Sequence, residues 1–355
     1  MTSPLRYLPA VLFAGAFTIC AALLSQALRA VTPMPQMAVL SDKLDAWKAT
    51  AADYNTVFVG TSRTFYHIDP AGVDAAAAAA GCPDVRVFNF GVFGLTGAEL
   101  DWVVDEILSA PGADLRTVVL EDPLPQPRTM DDAINERARW FHGPAYWGAA
   151  LANIESYPES LPKRIFRTGI FTYGAAFDLS GAGLGASLAF PPAGPPAAEP
   201  LDLSRRGYEP LGSVLTDNIV ARREDFLNDP EGFGLALVRY GAPSDEAVEA
   251  RAAYIAQRLR AIAARGVDAA FYVSPDLVEL DRTPRVGEAV RAVDPALTVL
   301  NYNRPDQYPD LFERDVWHDF SHLLPEGAER LSAHIGADLC TSRTRTEGET
   351  ANAVR

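Results

Sequence analysis

Short hydrophobic runs recur along the chain and predict five buried strands. They lie at residues 56–60 (TVFVG), 85–90 (VRVFNF), 117–121 (TVVLE), 267–273 (VDAAFYV) and 297–301 (LTVLN). Continuous apolar runs of this length, rich in β-branched and aromatic residues, are typical of parallel strands that are buried on both faces. The pattern therefore predicts a central parallel sheet.

Helical patterns separate these runs. Asp69 followed by Pro70 predicts a helix through the alanine-rich stretch to Ala80, because Asp is a favourable N-cap and Pro fits the first helical position. Further helices are predicted at residues 41–53, 97–109 and 244–265. Strands that alternate with helices indicate a sheet covered on both faces. We therefore expect an α/β fold, a flavodoxin-like three-layer α/β/α sandwich with about five parallel strands.

The amino-terminal region contains an almost uninterrupted apolar run, residues 8–24, preceded by Arg6. A basic residue before an apolar core is typical of an export signal, and about 17 apolar residues lie at the short limit for spanning a bilayer. We expect residues 1–30 to be a membrane anchor or, with cleavage after Ala30, a signal segment; a buried soluble helix is the remaining alternative. Arg6 favours a cytoplasmic amino terminus. The main body would then face the periplasm or exterior, membrane-anchored or, after cleavage, secreted.

The remainder of the chain divides by composition. Residues 31–54 predict a Pro-containing connector and a helix, and residues 55–340 predict the main domain. An insertion at residues 123–245 separates the third and fourth strands and is too long for an ordinary connection. We expect it to fold over the carboxyl ends of the strands or, at residues 181–205, to form a partly disordered surface excursion. The polar residues 341–355 predict a disordered tail.

Charge and cysteine content narrow the range of partners. A formal charge of −15 and a pI near 4.8 argue against a nucleic-acid partner, which would require a concentrated basic surface. Cys20 lies in the apolar amino-terminal run, whereas Cys82 and Cys340 are free to pair across the fold. The three cysteines match neither a disulfide scaffold nor a cysteine-based metal site. We expect no metal and no cofactor.

A serine, Ser62, follows the first predicted strand in the sequence Gly-Thr-Ser-Arg. A serine nucleophile needs a base that is itself oriented by a third group. Among the five histidines, His322 has the most informative setting, because Asp319 precedes it by three residues and Pro325 begins a predicted helix after it. In a loop, this spacing lets the carboxylate contact one imidazole nitrogen while the other faces Ser62.

Three blocks of the sequence together resemble the SGNH/GDSL hydrolase superfamily. They are a Gly-x-Ser turn after the first strand, an Asn-x-Gly after the second, and an Asp-x-x-His-x-x-Pro-Glu-Gly before the last helix. The resemblance covers the sheet-forming parts of residues 55–122 and 266–338. It implies that Ser62 is the nucleophile and that Asp319 and His322 complete the triad.

The resemblance also implies an oxyanion hole formed by the backbone N–H groups of Ser62 and Gly91. After the third strand, where the family supplies an asparagine, this chain has Glu121 and Asp122. An ionised carboxylate cannot donate a hydrogen bond. The candidate substrate contacts are Arg63, Asn89, Glu121, Asp122 and His142. For Arg63 we favour an ion pair with Glu121 or Asp122 over contact with a substrate anion.

The leading hypothesis is a serine esterase or O-acyltransferase that acts on an acylated cell-envelope substrate. The resemblance implies a polysaccharide, since members of the family move acyl groups on surface polysaccharides; a lipid ester is a weaker candidate. Whether water or a sugar hydroxyl accepts the acyl group depends on how well the insertion excludes water. The alternative is a non-catalytic envelope protein that keeps the fold as a glycan-binding or assembly module. The distance between Ser62 Oγ and a ring nitrogen of His322 distinguishes the two hypotheses.

Overall fold

The computed structural model describes residues 7–31, 34, 37, 39–124, 127, 129–141, 143–179, 201–212, 216–240 and 247–353. The chain forms two compact units. The larger unit comprises Val39–Leu124, Ser156–Pro158 and Leu201–Arg355, and the smaller comprises Met1–Ala38, Pro125–Glu155 and Glu159–Pro200. The predicted insertion is therefore divided. Most of its residues up to Pro200 group with the amino-terminal segment, and the later residues group with the sheet.

A five-stranded, all-parallel sheet forms the centre of the larger unit, which confirms the predicted α/β fold. The strands are β1 (Thr56–Gly60), β2 (Val87–Gly91), β3 (Thr117–Glu121), β4 (Asp268–Val273) and β5 (Thr298–Asn301). Every residue of β1 and β2 is buried, as expected for strands covered on both faces. The strand order is β2-β1-β3-β4-β5, the flavodoxin-like order.

The strand order places a crevice beside β1. From β1 the chain moves outward to β2 and then crosses to β3, on the other side of β1. Where the order reverses in this way, the connections at the carboxyl ends of adjacent strands separate and leave a site for ligands. β1 pairs with β3 up to Val59 and Leu120. The residues that follow β1 and β3 therefore meet at this crevice.

The helices match the local signals in the sequence. In chain order they are α1 (Leu8–Val31), α2 (Leu40–Thr50), α3 (Ser62–His67), α4 (Pro70–Ala79), α5 (Gly97–Ser109), α6 (Met130–Ile134), α7 (Glu136–Trp140), α8 (Pro144–Ser156), α9 (Leu161–Leu179), α10 (Asp217–Asn228), α11 (Pro230–Arg239), α12 (Ala247–Ala263), α13 (Thr283–Val293) and α14 (Pro325–Ala353). Asp69 caps α4 through the N–H of Ala71, with Pro70 at the first helical position, as the sequence predicts. The first three residues of the helix predicted at 244–265 lie outside the described residues.

Helix packing covers the sheet. α4 packs against α14, and Phe58 of β1, Val73 of α4 and Leu331 of α14 belong to one buried hydrophobic cluster. α12 packs against α13, and both contact β4. Burial of these apolar side chains is the main stabilising contribution to the fold.

The last helix is longer than the sequence indicates. α14 continues through Ala353, so residues 341–353 are helical where the polar composition predicts a disordered tail. Two long-range links hold the helix where the predicted tail begins. Cys340 forms a disulfide with Cys82, and Arg343 donates to both carboxylate oxygens of Asp84 at 2.8 Å. These links hold α14 against the rest of the larger unit as far as Arg343.

The smaller unit contains α1, α6, α7, α9 and nearly all of α8. α1, α6 and α7 each pack against α9. None of the helices in the described ranges is both long and apolar enough to cross a membrane. Of the predicted surface excursion, residues 181–200 lie outside the described residues, and residues 201–205 include a short 3-10 turn, Leu203–Arg205.

Candidate active site

Ser62 lies directly after the carboxyl end of β1. Thr61 is extended and is the N-cap of α3, and Ser62 is the first residue of that helix. We call residues 60–67 the nucleophile turn. The Ser62 N–H has no acceptor among the residues that the structure describes, as expected at the first position of a helix. The half-buried Ser62 therefore offers both a hydroxyl and a backbone N–H to the crevice.

The structure brings Ser62, His322 and Asp319 together, as the sequence predicts. Ser62 Oγ lies 2.9 Å from His322 Nε2, and His322 Nδ1 lies 3.0 Å from each carboxylate oxygen of Asp319. A carboxylate at Nδ1 favours the tautomer with its proton on that nitrogen, which leaves Nε2 as the acceptor for the serine hydroxyl. The side chains of His322 and Asp319 are each 10% exposed. The three groups form a continuous hydrogen-bonded series.

Asp319 and His322 lie in a tight segment, residues 317–324, which we call the histidine loop. Asp319 Oδ1 accepts hydrogen bonds from the N–H of Ser321 at 2.8 Å and from the N–H of His322 at 2.9 Å. Burial alone would raise the pKa of Asp319, but the hydrogen bond and charge of His322 and the Ser321 N–H lower it to about 2. Asp319 is therefore ionised at neutral pH and is held in place by the backbone of its own loop.

A second histidine, His67, supports the histidine loop from within the core. His67 Nε2 accepts from the N–H of Leu323 at 2.9 Å, and His67 Nδ1 lies 2.9 Å from Ser274 Oγ. An accepting Nε2 places the proton on Nδ1, so this imidazole is neutral. Burial lowers the pKa of His67 well below its usual value. His67 thus links the end of α3 to the residue after His322.

Glu121, the last residue of β3, fixes the nucleophile turn. Its Oε2 accepts from Thr61 N at 2.7 Å, from Thr64 N at 3.2 Å and from Thr64 Oγ1 at 2.7 Å. Its Oε1 accepts from Thr61 Oγ1 at 2.8 Å and from Arg63 Nε at 2.6 Å. Glu121 is only 1% exposed. This candidate substrate contact is therefore a buried, fully paired carboxylate that determines the conformation of the turn.

Arg63 is an ion-pair residue, which is the interpretation that the sequence favoured. In addition to Glu121, it pairs with Asp276, which follows β4. Asp276 in turn accepts from Ser321 Oγ at 3.3 Å. Burial acts to lower the pKa of Arg63, but the two carboxylates outweigh it and raise the pKa. The guanidinium thus connects the nucleophile turn to the histidine loop.

Asn89 and Gly91 of β2 lie against the backbone of α3. Asn89 Nδ2 donates to the carbonyls of Thr64 and Ile68 at 2.7 and 2.8 Å, and its Oδ1 accepts from Gly91 N at 2.8 Å. A Cβ atom on Gly91 would lie 2.2 Å from Phe65 N, so only glycine lets the α3 backbone approach β2 this closely. The Gly91 N–H is therefore donated within the motif instead of to an oxyanion, and the fully buried Asn89 has no surface for substrate.

A different glycine, Gly94, offers a backbone N–H beside the nucleophile turn. It is half-buried with a φ of 62°, and its N–H has no acceptor in the described part of the chain. The neighbouring Phe93 packs on Phe65 and Tyr66 of α3, with ring centroids 4.8 and 5.6 Å apart. The N–H groups of Ser62 and Gly94 are therefore the candidate oxyanion donors.

An aromatic ring and a guanidinium flank the triad. The Tyr66 ring lies edge-on to His322, with centroids 5.7 Å apart. Arg222 of α10 is 56% exposed, and its Nη1 lies 3.6 Å from Asp319 Oδ2. Burial and then the charge of Glu209 raise the pKa of Tyr66 to about 12, so its phenol is neutral at physiological pH. The surroundings of the triad therefore combine an aromatic ring with a positive charge.

The two remaining candidate substrate contacts are Asp122 and His142. Asp122 Oδ1 accepts from Arg251 Nε at 2.9 Å and from Arg251 Nη2 at 2.5 Å. Arg251 is 0% exposed and stacks on the rings of Tyr157 and Tyr254 at 4.8 and 4.5 Å. Asp122 is thus the partner of a buried cation. His142 lies outside the described residues.

The sequence did not reveal several supporting residues. Lys43 of α2 is completely buried, and its Nζ donates to the carbonyls of Asn89 and Gly91 at 2.9 and 2.7 Å. Burial lowers the pKa of Lys43 well below its usual value. A single lysine in an amphipathic helix gives no signal of this role. Asp276 does carry one, because it follows β4 at the same edge of the sheet as Ser62.

Among the described residues, no group of three or more His, Cys, Asp or Glu side chains is placed to hold a metal ion. Comparisons with protein-family models, with curated proteins and with solved structures found no match. The arrangement of the side chains is therefore the main indication of what this site does.

Proposed function

We propose that this protein is a serine esterase or O-acyltransferase that uses Ser62, His322 and Asp319 on an acylated substrate of the cell envelope. The supporting observation is the 2.9 Å contact between Ser62 Oγ and His322 Nε2, with both Asp319 oxygens 3.0 Å from Nδ1. A nucleophile, a base and an orienting carboxylate in series are the machinery of acyl transfer. A glycan-binding or assembly module would not need this series.

Each group has one role in the proposed reaction. Ser62 Oγ bonds to the ester carbonyl carbon while its proton passes to His322 Nε2. The tetrahedral intermediate then breaks its bond to the alcohol oxygen, which leaves with that proton, and the acyl group stays on Ser62. Water or a sugar hydroxyl attacks next, gives its proton to Nε2, and releases an acid or a new ester as Oγ regains a proton. Asp319 remains ionised and stabilises the imidazolium.

The oxyanion that forms in both steps needs donors that are already in place. Glu121 cannot supply one, since its carboxylate only accepts hydrogen bonds. The backbone N–H groups of Ser62 and Gly94 fit the role, because neither has an acceptor among the described residues. A single donor of this kind contributes about 10²–10³ in rate.

Two features support a location outside the cytoplasm. The disulfide between Cys82 and Cys340 is typical of proteins in oxidising compartments. The apolar α1 exposes large side chains, among them Phe13 at 74% and Phe17 at 65%. The proposal is therefore a membrane-anchored enzyme whose larger unit faces the periplasm or exterior, or a secreted one if the amino-terminal segment is cleaved. An acylated polysaccharide is the substrate class that fits this compartment.

A fluorophosphonate probe tests the proposal directly, because it reacts with an activated serine hydroxyl. We expect the wild-type chain to be labelled at Ser62, as mapped by peptide mass spectrometry. Ser62→Ala should abolish labelling, and His322→Ala should nearly abolish it. Ser204→Ala, which removes an exposed serine from a 3-10 turn, is the matched control and should be labelled like the wild type. Labelling that persists in Ser62→Ala would overturn the assignment.

Turnover separates the two forms of the reaction from the non-catalytic alternative. Wild type and Ser62→Ala are incubated with p-nitrophenyl acetate, with and without an oligosaccharide acceptor, and the products are quantified. Acetate as the main product identifies an esterase, and acetylated sugar identifies a transferase. If the wild type releases no p-nitrophenol and Ser62 is not labelled, the binding or assembly module replaces our proposal.

A further inference from the structure

α9 in the smaller unit has an apolar face on its exposed side. At 100° per residue, Leu161, Ile165, Phe166 and Tyr173 fall within one arc of the helix. These residues are 61%, 63%, 60% and 51% exposed, respectively. Pro162, Gly169, Thr172 and Ala176 are also exposed and fill the rest of this arc. The arc contains no charged residue. The exposed face of an ordinary surface helix, in contrast, carries charged and polar residues.

The opposite face of α9 is already occupied within the smaller unit. Its buried residues include Ile170, Phe171 and Ala175. The basic residues of the helix stand outside the apolar arc. Arg167 pairs with Glu159 at 2.6 Å, and Arg164 donates to the carbonyl of Glu155 at 3.0 Å. The exposed arc is therefore a second apolar face that the described residues of the unit leave uncovered.

α1 extends this apolar surface. It packs against α9 in the same unit, and every residue from 8 to 20 is exposed. Thirteen consecutive exposed residues cover all sides of a helix, and this stretch contains no charged side chain. Most of the exposed large apolar residues in the described ranges belong to the smaller unit; of the seven in the larger unit, four lie on α10 and α11, among them Val238.

We propose that α1 and the exposed face of α9 form one lipid-binding surface, with α9 lying in the membrane interface beside α1. A second copy of the chain or another protein would cover α1 from one side, but residues 8–20 of α1 are exposed on all sides and carry no charge, and only lipid chains surround a helix completely. Leu161, Ile165 and Phe166 match the acyl boundary, and Tyr173 has the amphipathic ring that favours the headgroup level. Lys163, exposed beside the arc, is placed for lipid phosphate. This inference is independent of the proposed chemistry.

Depth-dependent fluorescence quenching tests the proposal on the full-length chain. Cys20→Ser removes the only free cysteine of the described residues, and Ile165→Cys or Tyr173→Cys then places an environment-sensitive fluorophore on α9. Val238→Cys, at a position 79% exposed on α11 of the larger unit, is the matched control. Near-ultraviolet circular dichroism confirms that each labelled variant is folded. The proteins are reconstituted in vesicles that contain nitroxide-labelled lipid.

We expect the label at positions 165 and 173 to shift to the blue on reconstitution and to lose most of its emission to the lipid nitroxide. The label at position 238 should do neither. Two outcomes would overturn the proposal. A blue shift without lipid quenching at 165 and 173 means that protein covers the face, and emission equal to that of the control means that the face is in water.

Discussion

The two segments that meet at the Ser62–His322 hydrogen bond are held in opposite ways. The first residues of the nucleophile turn are held mainly by one side chain, since Glu121 accepts five hydrogen bonds from residues 61–64. The histidine loop is held by many partners. Its own backbone closes it, His67 accepts from Leu323, and Arg223 of α10 donates to the carbonyls of Trp317 and His318.

This difference predicts different sensitivities to substitution. Loss of Glu121 leaves buried donors of Thr61 and Thr64 without an acceptor and leaves the buried Arg63 with only one of its two carboxylate partners, and such changes are costly. Loss of any one support of the histidine loop leaves the others in place. Substitutions in the histidine loop should therefore impair catalysis when they remove a reacting or orienting group, and should otherwise be tolerated.

The largest effect is expected for Asp319→Asn. The amide oxygen can still accept from the backbone N–H groups of Ser321 and His322, so the loop keeps its shape. The amide favours the wrong imidazole tautomer, and activity should fall by about 10³–10⁴-fold. Ester hydrolysis at neutral pH measures the loss, and circular dichroism checks the fold. Activity within tenfold of wild type would contradict the orienting role of Asp319.

Glu121→Gln should have the next largest effect. Its NH₂ group cannot accept from the donors of Thr61 and Thr64, and it leaves Arg63 short of one negative partner. We expect a loss of about 3 kcal/mol in unfolding free energy and a roughly 10²-fold slower labelling of Ser62. Denaturant titration and the rate of fluorophosphonate labelling measure the two effects.

Asp122→Asn is the matched control for Glu121→Gln. It removes the carboxylate that pairs with the buried Arg251, so it should also destabilise the fold. Asp122 makes no hydrogen bond to the nucleophile turn in the described structure, and the labelling rate per folded molecule should stay close to wild type. Equal slowing in both variants would mean that Glu121 acts through general stability and not through the turn.

Gly91→Ala tests whether α3 depends on its close approach to β2. The new Cβ would lie 2.2 Å from Phe65 N and 2.8 Å from the carbonyl carbon of Thr64, so the helix must shift. We expect about 1–3 kcal/mol of destabilisation and roughly tenfold slower labelling. Gly234→Ala in α11, where a Cβ meets nothing within 4 Å, should be neutral or slightly stabilising. Thermal unfolding of the two variants gives the comparison.

Acid titration measures how much the charge of Asp319 contributes to the unfolding free energy. The folded-state pKa of about 2 lies below the usual value, so the ionised carboxylate stabilises the folded state above pH 4. That contribution, about 2 kcal/mol, should be lost as the pH falls from about 4 to about 2. Asp319→Asn lacks it at every pH. Unfolding free energies of the two proteins should therefore differ at pH 6 and converge near pH 2; a constant difference would contradict the linkage.

Arg223→Ala should have the smallest effect. It removes one donor to the carbonyls of Trp317 and His318, while the backbone bond from His318 N to His322 O at 2.8 Å remains. The net contribution of such a hydrogen bond is about 1 kcal/mol, and kcat should change by no more than roughly threefold. A loss as large as that of Glu121→Gln would show that the histidine loop also depends on a single support.

Local patterns predicted the sheet well. The bounds of β1 and β3 agree with the hydrophobic runs at residues 56–60 and 117–121. A strand that is buried on both faces forms one continuous run of apolar residues, so its signal is local. Asp319 and His322 could likewise be recognised, since they lie only three positions apart in the sequence. The longer α14 could not be foreseen. Its continuation depends on Arg343 and Asp84, which are 259 residues apart.

The role of Glu121 shows why the rest of the site was not predictable. Glu121 reaches Thr61 because β3 pairs with β1. The sequence of neither strand indicates which strands will be its neighbours in the sheet. From the sequence alone, a carboxylate at the end of a strand is equally compatible with substrate contact. Gly91 was similarly ambiguous, because its N–H partner is Asn89 and its packing partner is the backbone of α3.

The disulfide between Cys82 and Cys340 has a consequence for a protein that is cut by a protease. The two cysteines are 258 residues apart, and Ser62 precedes the first of them while His322 lies between them. Cleavage at any peptide bond between Cys82 and Asp319 therefore divides the triad between two fragments, each of which retains one of the bonded cysteines. The nicked molecule stays covalently whole, and its two parts separate on an electrophoresis gel only after reduction.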